Sequence, residues 1–473
     1  MPQASPILVN GIASAVVLIG LAALSFAFPY GVELQGAPLL PYIGLALLAG
    51  GVWALLPKLI HQTQSNRRHI LMIFAIGLLA RGVMMSSTPV LEDDSYRYLW
   101  DGAVTAQGID PYKYAPAEAA TNGLFETPIA ETAPDDLVRL RALAEAHPEP
   151  HQRVNFPYVS TIYPPLTQAA FAAAYMIDPF GLTGWRLILL LSDLAAFGLL
   201  LALLKAYGRS PLWAALYWWN PVVILQGFGA AHMDVLVVPF LLTTILLARK
   251  GQRNWSLIAL SGAAAIKLWP ILLAPLLLRP ILFQPVKLVA STTLFVAVTG
   301  LLLAPQLVHA LQPEAGLNAY SSDWRTHTFL FAIFEDFFFA GVDDPGRMAR
   351  LFVAATISVM TLALAYQYGD RRDMLPALMT VVIASLIFLS PTGYPWYLIW
   401  LAPLLAFIPS PGLIALMVAA PLYWLRFYFG DASLFYQWGI VPIAFGLPLI
   451  LILRPLIQKE PRHAIGHHNP GLE

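Results

Sequence analysis

The chain contains no cysteine. That absence removes disulfides, thiolate metal sites and cysteine nucleophiles together. Charge is scarce too: 11% of the 473 residues are Asp, Glu, Lys or Arg, where soluble domains carry about 25%. The 27 basic and 27 acidic residues balance, so no global basic field points to nucleic acid. There is no fixed-period repeat and no low-complexity tract. What is abundant is apolar: 58% of the residues, with 13 Trp, 19 Tyr and 25 Phe. This composition excludes a disordered chain, a coiled coil and an ordinary cytosolic enzyme. It fits a polytopic membrane protein with aromatic rings at the membrane–water boundary.

Apolar runs begin with 7–28 and recur at about 39–56, 70–87, 184–204, 211–228, 233–248, 255–267, 270–283, 286–305, 351–368, 374–390, 394–408, 411–427 and 436–453. A bilayer-spanning helix needs roughly 20 mainly apolar residues. The expected fold class is therefore all-α, a transmembrane helical bundle of about 13–14 membrane segments. Several runs are shorter than a full span and must be tilted, broken or partly buried in protein. The first run has no basic residue before it and is too long for a signal-peptide core, so it reads as the first transmembrane helix.

Lys and Arg in short loops set the orientation. Lys58, Arg67 and Arg68 place the loop between the second and third runs in the cytoplasm. Residues 88–160 then lie on the outer side, a segment of 73 residues with 12 acids and 5 bases. The orientation of the later helices turns on the stretch 163–178. If it spans, Lys205, Arg209, Arg249, Lys250 and Arg253 all lie outside; if it lies along the surface or re-enters, all five lie inside. The second choice obeys the positive-inside bias and is the one adopted. A second outer loop then covers 306–350, and both tails are cytoplasmic. Within the first outer loop, 134–146 reads as a short helix, with Pro134 and two acids in its first turn and Pro148 as its stop.

The densest polar cluster is Glu92-Asp93-Asp94-Ser95-Tyr96-Arg97-Tyr98-Leu99-Trp100-Asp101, where the chain leaves the bilayer. A carboxylate there suits a general base on an acceptor hydroxyl, and Arg97 suits a phosphate. The plain structural alternative is a hydrated helix end with an ordinary ion pair. A second cluster, Gly229-Ala230-Ala231-His232-Met233-Asp234, sits at a tight turn on the same side. It suits substrate orientation, and equally a capped turn; two ligands alone do not make a metal site. Lys267, followed by Pro270, lies between two apolar runs, where a lysine is expensive unless it binds something or snorkels. Other outward candidates are Tyr163-Pro164-Pro165, Asp323-Trp324-Arg325-Thr326-His327 and 390–397. Arg81, Arg186, Asp193 and Arg426 read as interhelical partners, and His463, His467 and His468 as tail residues.

Taken together these segments resemble a family. Asp93-Asp94-Ser95-Tyr96-Arg97-Tyr98, leading on to Gly108-Ile109-Asp110-Pro111-Tyr112, resembles the first-loop acidic motif of GT-C glycosyltransferases. These integral membrane enzymes take a sugar from a polyprenyl-phosphate carrier. Ile162-Tyr163-Pro164-Pro165-Leu166 resembles the segment that closes that loop, Trp219-Asn220-Pro221 to His232-Met233-Asp234 the second outer loop, and Lys267-Leu268-Trp269-Pro270 the lysine-containing break. The likeness runs from about residue 70 to 410 and is nearest to the bacterial polyprenyl-phosphate-mannose-dependent group of glycosyltransferase family 87 type.

The resemblance implies a bundle of GT-C type with short surface helices on the large first outer loop. It divides the chain into 1–69 (two leading helices and a cytoplasmic loop), a catalytic membrane core at 70–305, the second outer loop at 306–350 and C-terminal helices with a tail at 351–473. It implies transfer of a sugar, mannose by this likeness, from a polyprenyl-phosphate donor to an acceptor hydroxyl, with inversion. Asp94 or Asp93 would be the base, and spacing to Arg97-Tyr98 favours Asp94. Lys267, with Arg97 or Arg325, would hold the donor phosphate. Tyr98, Tyr163, His232, Asp234 and His327 would position substrate. No cofactor is implied, and metal dependence stays open. The expected partners are the lipid-linked donor, a glycolipid or glycan acceptor and the bilayer, with no nucleic acid. The expected place is the bacterial inner membrane, with the site facing the periplasm. The competing readings are a lipid-linked-sugar flippase, whose mark would be internal repeats, and a lipid-linked oligosaccharide polymerase or ligase.

Overall fold

The computed structural model describes residues 5–31, 36–120, 134–310, 316 and 324–457. Asp323, Lys459, Arg462, His463, His467 and His468 lie outside the described residues, as do parts of both outer loops. Among the described residues, nine helices are long and apolar enough to cross a membrane: Pro6–Ser25, Leu39–His61, Arg67–Met85, Leu182–Ala206, Pro285–His309, Pro345–Tyr368, Arg372–Leu389, Pro411–Phe429 and Tyr436–Pro455. The pair Pro221–Gly229 and Met233–Arg249 makes a tenth if taken as one broken span, bent by 114°. No strand occurs among the described residues beyond an isolated bridge between Thr326 and Thr392. The architecture is the all-α polytopic bundle expected.

The long helices show why a bilayer is their solvent. Pro285–His309 buries only one stripe, and Val286, Val289, Val296, Leu301 and Val308 are exposed. A face that apolar is stable against lipid and not against water. Runs shorter than a span behave differently. The segments at 211–228, 233–248, 255–267, 270–283 and 394–408 form short helices and tight turns, interrupted by Pro211, Pro221, Pro270, Pro275, Pro280, Pro395 and Pro403. Residues 212–238 are buried without a break. Irregular backbone at membrane depth is tolerated where protein surrounds it. The last of these segments has distant partners at its two ends. His232 stacks on Trp396, with ring centroids 3.8 Å apart, while at the far end Phe407 meets Tyr207 and accepts a bond from Arg209.

Two features lock the helices. Gly77 lets the Trp218 ring lie flat on the Arg67–Met85 helix: a Cβ there would fall 2.2 Å from the ring. The Trp218 indole donates to the Phe74 carbonyl at 3.0 Å. Beneath it Arg81 pairs with Asp193 at 2.5 Å, both fully buried, and Tyr217 donates to the same carboxylate. Arg186 reaches the Met85 and Gly229 carbonyls at 2.7 Å each. These residues are interhelical partners, as expected.

The described residues between Asp94 and Val154 fold on a core of their own. Trp100, Ala103 and Val104 of Asp94–Ala106 pack with Leu140, Leu143 and Ala144 of Asp135–Ala146, and with Ile109 and Val154. The stretch 163–178 contributes the helix Pro165–Ile177, 13 residues long. At 1.5 Å per residue it rises about 20 Å, short of a hydrocarbon layer of about 30 Å. It lies against Asp94–Ala106, where a Cβ on Gly102 would meet the Phe171 carbonyl oxygen at 2.5 Å.

Candidate active site

A cavity of about 1360 Å³ opens where Asp94–Ala106 and the stretch 153–164 meet the bundle. Asp94 begins the helix that points into it, with Asp93 as the residue before the first turn. The Asn155 amide donates to Asp94 Oδ1 at 2.5 Å and to Asp93 Oδ1 at 3.0 Å. The other Asp94 oxygen lies 3.4 Å from the Tyr98 hydroxyl and 3.6 Å from His232 Nδ1. Tyr98 in turn lies 3.3 Å from that same nitrogen. The Asp94 side chain is 21% exposed, enough to touch a molecule in the cavity. Asp93 is more exposed and has no contact with His232 or Tyr98 among the bonds described.

Burial pushes the Asp94 carboxyl up to about 6, helped by the neighbouring Asp93 charge and opposed by the Asn155 bond and by Lys267. Burial also raises Asp93, and it raises Glu92, which faces both aspartates, well above the ordinary carboxylate range. The Tyr98 and Tyr163 phenols are held protonated by burial. A carboxylate tuned toward neutrality in a cleft fits general-base work.

Lys267 stands across the cavity at the end of the broken segment. Its ammonium donates to Asp234 Oδ1 at 2.6 Å, and the Trp400 indole donates to the same oxygen at 2.6 Å. The ammonium also lies 4.4 Å from the Tyr397 ring centre and 4.8 Å from that of Trp400. Asp234 Oδ2 and His232 Nε2 are buried without a hydrogen-bond partner among the described residues. The structure thus brings Asp93, Asp94, Tyr98, Tyr163, His232, Asp234 and Lys267 together.

Three further expected residues are committed elsewhere. Arg97 lines the cavity, but its donors bond Asp101 at 3.0 Å and the Phe156 and Val159 carbonyls at 3.4 and 2.9 Å. It ties the returning loop to the helix. Arg325 grips Asp336 through both terminal nitrogens, at 2.7 and 2.5 Å, and Glu335 at 2.8 Å. It does not line the cavity. His327 faces a separate small pocket and bonds the Tyr436 hydroxyl at 2.6 Å. Sequence reasoning passed over Asn155 and Trp400, which lie in a loop and an apolar run with no local sign of their roles. Among the described residues, no group of three or more His, Cys, Asp or Glu is arranged to hold a metal ion.

Comparisons with known proteins identify the family. Residues 8–135 and 158–281, more than half of the chain, match the family model described as alpha-(1->6)-mannopyranosyltransferase, N-terminal domain. The chain belongs to this family. It is also 24% identical over 397 residues to alpha-(1->6)-mannopyranosyltransferase A of Mycobacterium tuberculosis, covering 79% of this chain and 71% of that one. Membership makes the chain a membrane-embedded mannosyltransferase of the GT-C kind. The matched region includes Asp93, Asp94, Tyr98, Tyr163, His232, Asp234 and Lys267.

Proposed function

We propose that the protein transfers mannose from a polyprenyl-phosphate donor to an acceptor hydroxyl on the outer side of the membrane, inverting the anomeric centre. One observation carries this reading: a single cavity joins Asp94 and Lys267 to an apolar groove walled by Leu272, Val353, Ile357 and Leu386. Ala354 and Ser358 both line that groove and are exposed on the outward face of Pro345–Tyr368. The groove therefore reaches the surface sideways, as a lipid tail anchored in the bilayer requires.

In this reading Asp94 takes the proton of the acceptor hydroxyl. The acceptor oxygen attacks the anomeric carbon, the bond from that carbon to the phosphate oxygen breaks, and polyprenyl phosphate leaves with the electron pair. Asp94 is favoured over Asp93 because only it touches His232 and Tyr98. Lys267 stabilises the charge growing on the leaving phosphate, an electrostatic contribution in a site screened from water. Asp234 and Trp400 aim the ammonium, and His232, Tyr98 and Tyr163 shape the sugar pocket between base and phosphate. Arg97 acts on this site by holding the 156–159 backbone in place. The positive-inside bias supports a cytoplasmic side for the basic helix ends, among them Lys58, Arg67, Arg249, Arg253 and Arg372, and with it a cavity on the periplasmic side of the bacterial inner membrane. No step calls for a resident cofactor. The catalytic unit extends beyond 70–305, because 27–31, Ala37 and residues between Arg350 and Phe427 supply cavity wall.

The test is release of polyprenyl phosphate from synthetic polyprenyl-phosphate-mannose by purified protein in lipid, wild type against Asp94→Asn. Release that disappears in the variant supports the donor and the base together. Equal release in both removes Asp94 from the role.

A further inference from the structure

The two leading helices bring their connecting tip to the cavity. Ala27, Phe28, Pro29, Tyr30 and Gly31 line it beside Asp93 and Asp94. Tyr30 is 50% exposed there. Its ring meets Tyr96 edge to face, with centroids 5.0 Å apart. The Arg153 guanidinium lies 4.7 Å from the centre of Tyr30 and 5.2 Å from that of Tyr96. Arg153 is held on edge by Glu149 at 2.5 Å and by the Tyr96 hydroxyl at 2.9 Å. It stands two residues from Asn155, which holds both aspartates.

We propose that Tyr30, Tyr96 and Arg153 form the subsite that seats the terminal sugar of the acceptor next to Asp94. The inference rests on the mannosyl-transfer reading and adds to it Tyr96 from within the acidic motif and Tyr30 and Arg153 from outside it. A half-exposed aromatic ring offers a flat apolar face to the C–H side of a pyranose, with its edge fixed by a neighbouring ring. The Arg153 guanidinium, bonded to Glu149 and to the Tyr96 hydroxyl, holds the two rings in place and sets a cation beside the sugar face. The carboxylates of Asp93 and Asp94 and the Asn155 carbonyl supply acceptors. A prenyl chain has no use for that many polar groups, and the apolar groove at Leu272, Val353 and Ile357 is built from other elements. The wall near Tyr30 is therefore left for the more polar of the two substrates, and the leading helix pair belongs to the active site.

The test uses full-length protein in lipid nanodiscs and a synthetic linear mannotrioside as the probe, with binding followed by saturation-transfer NMR. Tyr30→Ala should weaken mannotrioside binding about tenfold, the loss expected for one well-packed ring. Tyr30→Phe, which keeps the ring, should stay within about twofold of wild type. Arg153→Gln gives a second reading and should weaken binding as well, should Tyr30→Ala prove unstable. Equal binding in all the proteins, or no binding to wild type, overturns the subsite. Release of polyprenyl phosphate from the mannosyl donor is measured on wild type in parallel. Release without mannotrioside binding defeats the subsite alone; ring-dependent binding without release upholds the subsite and counts against the donor.

Discussion

The ion pairs Arg81–Asp193 and Lys267–Asp234 both sit within this bundle, and they serve different ends. Arg81 and Asp193 are sealed on every side, with the guanidinium 3.5 Å from the centre of the Trp218 ring and bonded to two carbonyls. Lys267 and Asp234 are just as close, but the lysine side chain is 22% exposed to the cavity and one Asp234 oxygen has no partner among the described residues. A charge inside apolar helices is costly in either place. The first pair lies away from the cavity, although one Arg81 terminal nitrogen also lacks a partner among the described residues, which leaves a clamp. In the second, capacity remains on the side facing the cavity, which leaves a binding group. Contact with the cavity, more than burial or unspent bonding capacity, separates the two.

The largest test of that contrast removes half of the sealed pair. Asp193→Ala strands a buried guanidinium and should cost about 3–5 kcal/mol, read as a lower thermal midpoint in detergent; an unchanged midpoint would deny the clamp. Asp94→Asn should lose at least about a hundredfold in turnover, the lower end of what a general base contributes, while the midpoint stays near wild type. Lys267→Met should weaken the donor by about tenfold to a hundredfold, as loss of a charge-assisted bond predicts, with acceptor affinity kept; equal donor affinity in both proteins rejects the phosphate role. The acid limb of the pH profile comes next. As the proposed base Asp94 would work when charged, and its carboxyl is pushed up to about 6, so turnover should hold above that pH and fall below it. The Asp93 charge helps to raise Asp94, so Asp93→Asn should move the midpoint of the limb downward; an upward move would contradict the coupling. The smallest effect is expected from Arg325→Gln, whose cation is already spent on Asp336 and Glu335. Donor affinity should change by less than about twofold, and a larger loss would return Arg325 to the site.

How much of this was legible depends on distance along the chain. Long apolar runs announce themselves, and so does an acidic cluster where a helix leaves the bilayer, so the bundle and Asp93-Asp94 could be read directly. Lys267 was legible because a lone ammonium between apolar runs demands a reason. Trp400 was not, because an indole within an apolar run looks the same whether it faces lipid or donates to Asp234, 166 residues away in sequence. Asn155 bonds Asp94 across 61 residues, a separation at which spacing carries no information. Arg97 and Arg325 were indistinguishable as free cations. Only packing shows that one holds a backbone loop and the other two acids. The short runs were ambiguous for a similar reason: proline breaks them, and whether a broken segment survives at membrane depth depends on what surrounds it.

The sideways mouth at Ala354 and Ser358 has a kinetic consequence. In the proposed function a polyprenyl-linked donor enters there without leaving the plane of the bilayer, so the enzyme would meet it in two dimensions. Its effective concentration is a mole fraction of the surrounding lipid and not an amount per litre. Adding inert phospholipid at fixed protein and donor should therefore slow the reaction through surface dilution, although nothing in the aqueous phase has changed.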